Sequence, residues 1–249
     1  MHIRDTLERF GLAPRKSLGQ NFMIEHASIC RVADAADIDP DDVVLEIGPG
    51  LGALTDELAG RARRVVAVEV DAGFIPILES RYSGYPAVTV IHGDILEQDI
   101  TALLGAEAGN YLAVANLPYS ITSAALRFLL ENASPPRRIV FTVQLEVAQR
   151  VTAPAGEMSL LAVSVQFFGK ATLVTRLKAG NFYPRPEVDS AILRIDPHPV
   201  PFLPREEIAP FFRVVRAGFS QKRKQVKNAL AGGLNLPVEQ VTGWLDGAG

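Results

Sequence analysis

An amide and an aromatic side chain follow directly on an apolar run. Leu112 to Ala115 predicts a buried strand, Asn116 comes next, and Pro118 disfavours helical geometry at Leu117. The strand should therefore deliver Asn116 and Tyr119 to the edge where open α/β sheets bind ligands. An amide carbonyl accepts a hydrogen bond from an exocyclic amine, and a tyrosine ring stacks on a flat heterocycle. Taken alone, the four residues Asn116 to Tyr119 are equally compatible with an ordinary strand end followed by a proline turn.

A strand, a glycine loop and a helix form a second candidate site. Val43 to Ile47 predicts a buried strand, the loop covers Gly48 to Gly52, and Ala53 to Ala59 predicts an amphipathic helix. With Ala53 as its last position, the loop fits the dinucleotide fingerprint. With Glu46 as its acid, it fits the acid-x-Gly-x-Gly-x-Gly pattern of S-adenosylmethionine-dependent methyltransferases, so two cofactor classes remain open.

Acidic residues end the next two predicted strands. Val65 to Glu69 ends in a carboxylate roughly 20 residues after the glycine loop begins, where such a group binds ribose hydroxyls. Ala87 to Ile91 is followed by His92, Gly93 and Asp94, and this acid suits an adenine amino group. Together with Asn116 these strand ends predict one composite nucleoside site.

Composition predicts a globular protein. The 249 residues are 48% hydrophobic, enough for one large core and a small appendage. The single cysteine, Cys30, predicts no disulfide and no cysteine-based zinc site, and the four scattered histidines predict no metal cluster. No apolar run approaches the ~20 residues that span a bilayer, and the N-terminus lacks a signal-peptide core, so we expect a cytoplasmic protein.

Basic residues cluster near the C-terminus although the net charge is −3. The chain has no acidic residue between Glu207 and Glu239. A local basic surface suits an RNA backbone, and a solvated helix face is the alternative interpretation. The candidate RNA-binding residues are Arg213, Arg216, Lys222, Arg223, Lys224 and Lys227.

These motifs, in this order, resemble the rRNA adenine dimethyltransferases. The basic segment Phe219 to Asn228 is similar to that of the small-subunit, KsgA-type (RsmA) enzymes in particular, whereas the erythromycin-resistance methyltransferases share the other motifs more loosely. Those other motifs are Ser17 to Phe22, Glu46 to Gly52, Gly93-Asp94, Asn116 to Tyr119 and Phe182 to Ser190.

The resemblance implies an α/β fold, namely a Rossmann-like class I methyltransferase with a seven-stranded, mostly parallel sheet and a small C-terminal helical domain. Pro197 to Pro201 breaks all regularity, so we expect a methyltransferase domain over 1–197 and a helical rRNA-contacting domain over 198–249. The family leads us to expect a further helical stretch beyond Gly249, so the small domain is expected to be truncated or abbreviated. The remaining predicted elements are strands at Arg138 to Val143, Ala171 to Leu177 and Ala191 to Ile195, and helices at Glu206 to Ala217, Lys222 to Ala231 and Val238 to Leu245.

The resemblance also assigns roles within the site, with S-adenosylmethionine as the cofactor. The implied cofactor-binding residues are Asn21 and Met23 for the methionine portion, Gly48 and Gly50 for backbone approach, Glu69 for ribose, Asp94 for adenine, and Asn116. Asn116 and the Leu117 carbonyl would accept hydrogen bonds from the target amine beside Pro118. Tyr119 and Phe182 would sandwich the extruded base.

The implied activity is dimethylation of N6 on two adjacent adenosines near the 3′ end of small-subunit (16S) rRNA. We expect the partner to be this rRNA in the small ribosomal subunit or its assembly intermediate, with no membrane contact and a monomeric protein. The alternatives are a large-subunit methyltransferase of the erythromycin-resistance type, a non-catalytic RNA-binding assembly factor and an NAD-dependent dehydrogenase.

Overall fold

The computed structural model describes residues 3–15, 18–221 and 224–248. The strands in these ranges are β1 Phe22–Met23, β2 Val43–Ile47, β3 Arg64–Glu69, β4 Val88–His92, β5 Leu112–Asn116, β6 Arg138–Gln144, β7 Gly169–Leu177, β8 Phe182–Tyr183 and β9 Ser190–Pro197. The α-helices are α1 Ile3–Arg9, α2 His26–Ala36, α3 Ala53–Ala59, α4 Ile75–Tyr82, α5 Ile100–Leu104, α6 Thr122–Leu130, α7 Leu145–Val151, α8 Leu160–Gln166, α9 Arg205–Phe219, α10 Val226–Leu234 and α11 Val238–Ala248.

Seven strands form the central sheet in the order β4-β3-β2-β5-β6-β9-β7. The first five are parallel, and β9 runs antiparallel to both of its neighbours. Continuous β-branched runs such as Val43–Ile47 are buried on both faces, as a parallel sheet covered by helices requires. The sheet confirms the predicted fold class.

Two hydrophobic clusters cover the two faces of the sheet. Val44 and Val65 face a cluster that includes Leu54 of α3 and Leu78 of α4. The alternate residues, such as Leu45, belong to the other cluster, which includes residues of α5, α6, α7 and α8. The period-two alternation of each strand therefore serves two cores, so the register of the sheet is strongly fixed.

The two-stranded sheet of β1 and β8 is a feature that the sequence did not predict. Phe22 pairs with Tyr183 and Met23 pairs with Phe182 in antiparallel register. Strands of two residues are too short to give an alternating pattern, which is why the loop before α2 showed no periodicity. The pairing joins the segment before α2 to the segment before β9.

The C-terminal helices pack on the sheet domain through aromatic rings. Phe167, just after α8, stacks on Phe211 of α9 with ring centroids 4.7 Å apart and an interplanar angle of 23°. Phe168 stacks on Phe212 at 5.8 Å. Between the end of β9 and the start of α9 the chain has no helix or strand.

One predicted helix begins at the wrong place. The sequence predicted a helix from Lys222 to Ala231, but α10 begins at Val226, after Gln225 in an extended conformation (φ −57°, ψ 145°). Polar residues fill positions 221–225, so no apolar side chain there can pack a helical turn against α9. Lys222 and Arg223 lie outside the described residues. In the part of the chain that the structure describes, no helix combines the length and apolar character needed to cross a bilayer.

Candidate active site

The carboxyl ends of β2, β3 and β5 and the turn after β4 meet at one cavity of about 200 Å³. The segment around β1 closes one side of this cavity. Parallel neighbouring strands end at the same edge, so the topology itself gathers the polar residues that follow them. The predicted residues that line the cavity are Asn21, Met23, Gly48, Gly50, Glu69, Asp94, Asn116 and Pro118.

The glycine loop after β2 takes a conformation that side chains rarely adopt. Gly48 and Gly50 have φ values of +69° and +58°. A Cβ atom at Gly48 would meet no other protein atom within 4 Å, so it would project into open space. A Cβ at Gly50 would lie 3.0 Å from the Phe22 ring. The loop therefore leaves its backbone open to close approach by a ligand.

Glu69 ends β3 and holds the glycine loop. One carboxylate oxygen accepts a hydrogen bond from the Gly50 N–H at 2.9 Å, and the other accepts one from the Asp71 N–H at 2.8 Å. Burial raises the pKa of this carboxyl, and the two backbone hydrogen bonds oppose that rise. Each oxygen retains a further lone pair that can accept a ribose hydroxyl. The sequence predicted the ribose role but not the support of the loop.

Glu46 also lines the cavity, and its side chain is fully enclosed. Burial raises its pKa to about 8, and the nearby carboxylates of Glu69 and Asp56 add to the rise. One of its oxygens has no hydrogen-bond partner among the described residues. At neutral pH the side chain is therefore mostly the neutral acid, which can donate one hydrogen bond. The sequence placed Glu46 in a motif without revealing this state.

Asp94 lies at the cavity edge after β4 and begins a short 3-10 turn. Its Oδ1 accepts the Leu96 N–H at 2.9 Å, which fixes the carboxylate orientation. The second oxygen can accept a hydrogen bond from an exocyclic amine, as the adenine role requires.

The segment before β1 crosses the cavity and is tied down on both sides. On one side, Gln20 donates to Asp71 at 2.8 Å, and Arg15 forms an ion pair with Asp71 at 3.1 Å. On the other, the Asn116 amide nitrogen donates to the Asn21 backbone carbonyl at 2.8 Å. The Asp71 carboxylate is 3% exposed, whereas the Arg15 side chain is 55% exposed, so the hydrogen bond from Gln20 is better shielded from water than the ion pair. Sequence reasoning missed Asp71, and its position two residues after Glu69 is the signal that could have found it.

The Asn116 contact defines which half of its amide remains for chemistry. Because the nitrogen donates to the backbone of Asn21, the carbonyl oxygen is the half that can accept a hydrogen bond from another group. Asn116 is partly exposed at the cavity wall, so that oxygen can meet a substrate amine.

The remaining predicted catalytic residues lie outside the cavity lining. Tyr119 is half-buried, and its hydroxyl is 2.8 Å from the Ser190 Oγ. Leu117 is 3% exposed, so only its backbone can reach a substrate. Phe182 is also 3% exposed and belongs to the core cluster beside Met23. The predicted stacking face of Phe182 is therefore covered in this arrangement, because its pairing with β1 directs the ring into the core.

The predicted basic residues lie at two places on the C-terminal helices. Arg213 and Arg216 are exposed and lie one turn apart on α9. Lys224 is exposed just before α10, and Lys227 is half-buried in its first turn. Arg216 also lines a groove between the sheet domain and α9, together with Arg127 of α6 and Arg150 of α7. Arg127 is ion-paired with Glu131 at 2.9 Å and Arg150 with Glu146 at 2.5 Å.

A mostly parallel seven-stranded sheet, with a glycine loop and acidic strand ends around one cavity, defines a Rossmann-like class I methyltransferase. The model of the ribosomal RNA adenine dimethylase family matches residues 11–244. The chain belongs to that family, as its motifs led us to expect.

Named relatives agree with the family. A "Ribosomal RNA small subunit methyltransferase A" of Dehalococcoides mccartyi is 44% identical over 99% of this chain and 84% of its own length. The protein with the same name from Geobacillus thermodenitrificans is 40% identical over 99% and 87%. Among solved structures, the 23S rRNA methyltransferase ErmE superposes with a TM-score of 0.72 at 31% identity, covering 90% of this chain and 88% of that one. A dimethyladenosine transferase from Plasmodium falciparum gives 0.74 at 29% identity, covering 86% and 77%.

Proposed function

We propose that this protein transfers two methyl groups from S-adenosylmethionine to N6 of each of two adjacent adenosines near the 3′ end of small-subunit rRNA. The observation that carries the proposal is the contact of the Asn116 amide nitrogen with the Asn21 carbonyl, which leaves the amide oxygen for a substrate amine. The names of relatives that are 40–44% identical support the small-subunit substrate.

S-adenosylmethionine supplies a methyl group on a sulfonium, and an in-line displacement needs neither a metal nor a strong base. The obstacle is the adenine N6 lone pair, which is delocalised into the ring. Hydrogen bonds from this amine to the Asn116 carbonyl and the Leu117 backbone carbonyl favour a pyramidal nitrogen. The protein then contributes mainly by positioning the amine against the methyl group.

Different cavity residues bind different parts of the cofactor. Glu69 accepts the ribose hydroxyls, and Asp94 accepts the adenine amino group. The backbone at Gly48 and Gly50 and the segment at Asn21 and Met23 enclose the methionine portion. This division is supported by the cavity, which these residues line together.

RNA recognition involves a different part of the chain. We assign residues 1–197 to methyl transfer and residues 198–249 to contact with rRNA phosphates. The exposed arginines of α9, Arg213 and Arg216, support this assignment. Tyr119 stacks on one face of the extruded adenine. Phe182 can cover the other face of the adenine only if β8 moves. The partner is the small ribosomal subunit or its assembly intermediate, on which the protein acts as a monomer in the cytoplasm.

The alternatives have weaker support. Similarity to ErmE favours a large-subunit substrate, but at 31% identity it is more distant than the relatives named for the small subunit. A nicotinamide dehydrogenase is disfavoured by the family to which the chain belongs. A purely binding role would not explain why the Asn116 carbonyl oxygen is left available to accept a hydrogen bond.

Methylation of undermethylated small subunits with tritiated S-adenosylmethionine tests the proposal. We expect incorporation of about four methyl groups per small subunit and none into large-subunit rRNA. Asn116→Ala should lower the rate by roughly a hundredfold or more while cofactor affinity stays within about tenfold, because the lost interaction forms mainly in the transition state. Asn110→Ala, an exposed amide before β5, is the matched control. A wild-type rate for Asn116→Ala would refute the carbonyl mechanism.

A further inference from the structure

A cluster of three metal-ligating side chains lies on the outer face of α2 and α3, away from the cavity. His26, Cys30 and Glu57 each offer one ligand atom, and these atoms lie within 4.8 Å of one another. We propose that this cluster binds a zinc-like transition metal ion that bridges the two helices. From the sequence we expected no metal cluster, because the four histidines are scattered along the chain and there is a single cysteine.

The distances suit a tetrahedral ion. His26 and Cys30 are four residues apart on α2, which places them on the same helix face. The Cys30 Sγ lies 3.5 Å from the His26 Nε2, and that nitrogen lies 3.7 Å from a Glu57 oxygen. In a tetrahedral zinc site with bonds of 2.0–2.3 Å, neighbouring ligand atoms lie about 3.3–3.6 Å apart. Small rotations of the exposed His26 and of Glu57 therefore complete the geometry.

The ligand types also select the class of ion. Thiolate and imidazole together favour zinc, cobalt and related ions over magnesium and calcium, which prefer oxygen ligands. Three protein ligands leave the fourth position to water, and both His26 and Cys30 are reached by solvent.

The charges around the cluster are compatible with a divalent cation. Arg61 donates to Asp34 at 2.6 Å and to one Glu57 oxygen at 3.3 Å, while the other Glu57 oxygen faces His26. With the thiol ionised, the two carboxylates and the thiolate carry three negative charges against one guanidinium. A divalent ion brings this group to neutrality.

The location gives the ion a structural consequence. α2 follows the segment that closes the cavity, and α3 follows the glycine loop. None of the three ligands lines the cavity itself. A bound ion would therefore fix the two helices relative to each other without touching the cofactor.

Cobalt titration of the full chain tests the proposal, with the charge-transfer absorption of a cobalt–thiolate bond as the readout. Cys30 is the single cysteine, so a band from the protein must come from this residue. We expect one cobalt per chain, displacement by zinc, and a melting temperature that rises with zinc concentration. His26→Gln and Glu57→Gln should each weaken binding by at least about tenfold, and Cys30→Ser should remove the band.

Glu79→Gln, an exposed carboxylate on α4, is the control and should bind cobalt as the wild type does. Absence of the band in the wild type would overturn the proposal. So would wild-type affinity in both His26→Gln and Glu57→Gln, or one cobalt per two chains, since either result would mean that Cys30 binds metal without this cluster.

Discussion

Glu46→Gln probes the buried acid behind the glycine loop. In the folded protein the pKa of Glu46 is raised from 4.5 to about 8, chiefly by burial. Between these two pH values the folded state holds a proton that the unfolded state has released. Stability therefore falls as pH rises through this window, by about 1.4 kcal/mol per pH unit. Across the window the loss amounts to about 4 to 5 kcal/mol.

The glutamine variant has nearly the shape of the protonated acid and does not titrate. We expect its free energy of unfolding to match the wild type near pH 4.5 and to exceed it increasingly up to pH 8.5. At pH 7 the difference should be about 3 kcal/mol, because the pH lies 2.5 units above the unfolded pKa and still below the folded one. Urea unfolding of both proteins at a series of pH values measures this difference directly.

Taking the difference between the two proteins at each pH cancels the titration of every group that does not interact with Glu46. Glu79→Gln, at an exposed position on α4, is the control for the effect of a glutamate-to-glutamine change on unfolding. A difference for Glu46→Gln that stays constant from pH 4.5 to 8.5 would refute the conclusion that Glu46 is protonated in the folded state.

Three further predictions concern binding. Glu69→Ala should weaken S-adenosylmethionine binding by about 1.5 to 3 kcal/mol in calorimetry, and unchanged affinity in a folded variant would exclude the ribose role. Tyr119→Ala should slow methylation of the small subunit by roughly tenfold to a hundredfold through lost base stacking, whereas Tyr119→Phe should retain most activity. Equal methylation rates for these two variants would contradict stacking. Neutralising the basic segment should reduce the slope of log affinity for the small subunit against log salt concentration by about 0.7 to 0.9 per lost phosphate contact, and cofactor binding should not change. An unaltered slope would mean that the basic segment is ordinary surface. The residues replaced by glutamine in that variant are Lys222, Arg223, Lys224 and Lys227.

The sheet could be predicted because its sequence signals are local. Val43–Ile47 and Ala53–Ala59 have the predicted bounds, and the strand ending at Glu69 differs by one residue. The two strands are short, mostly apolar runs bounded by glycine or a polar residue, and their burial on both faces leaves few alternatives. The helix was predicted from its amphipathic pattern after the glycine loop. The last two strands of the sheet were predicted at Ala171 to Leu177 and Ala191 to Ile195, within the observed β7 and β9, but their antiparallel direction was not predicted.

The gathering of site residues could be predicted from topology alone. Glu69 and Asn116 end parallel strands, and Asp94 comes shortly after one. Because these strands are neighbours in the sheet, the three side chains lie at the same edge. Their individual hydrogen bonds could not be predicted, because these depend on partners far away in sequence. The Asn116 contact with Asn21, for example, spans 95 residues.

Burial was the property that the sequence did not reveal. Phe182 was assigned to the substrate from its motif and that role stays a prediction, whereas its burial in the core beside β1 was not predicted. The protonated state of Glu46 depends on the number of neighbours that exclude water, and a sequence pattern does not count them. The side chains of His26, Cys30 and Glu57 meet only because α2 and α3 pack side by side.

In the proposed mechanism Asn116 serves two groups with one amide. Its nitrogen is satisfied only when the segment carrying Asn21 lies across the cavity, and that contact fixes the plane in which its oxygen meets the target amine. Asp71 holds the same segment from the opposite side through Gln20 and Arg15. Enclosure of the cofactor and orientation of the acceptor for N6 therefore depend on one arrangement of the chain.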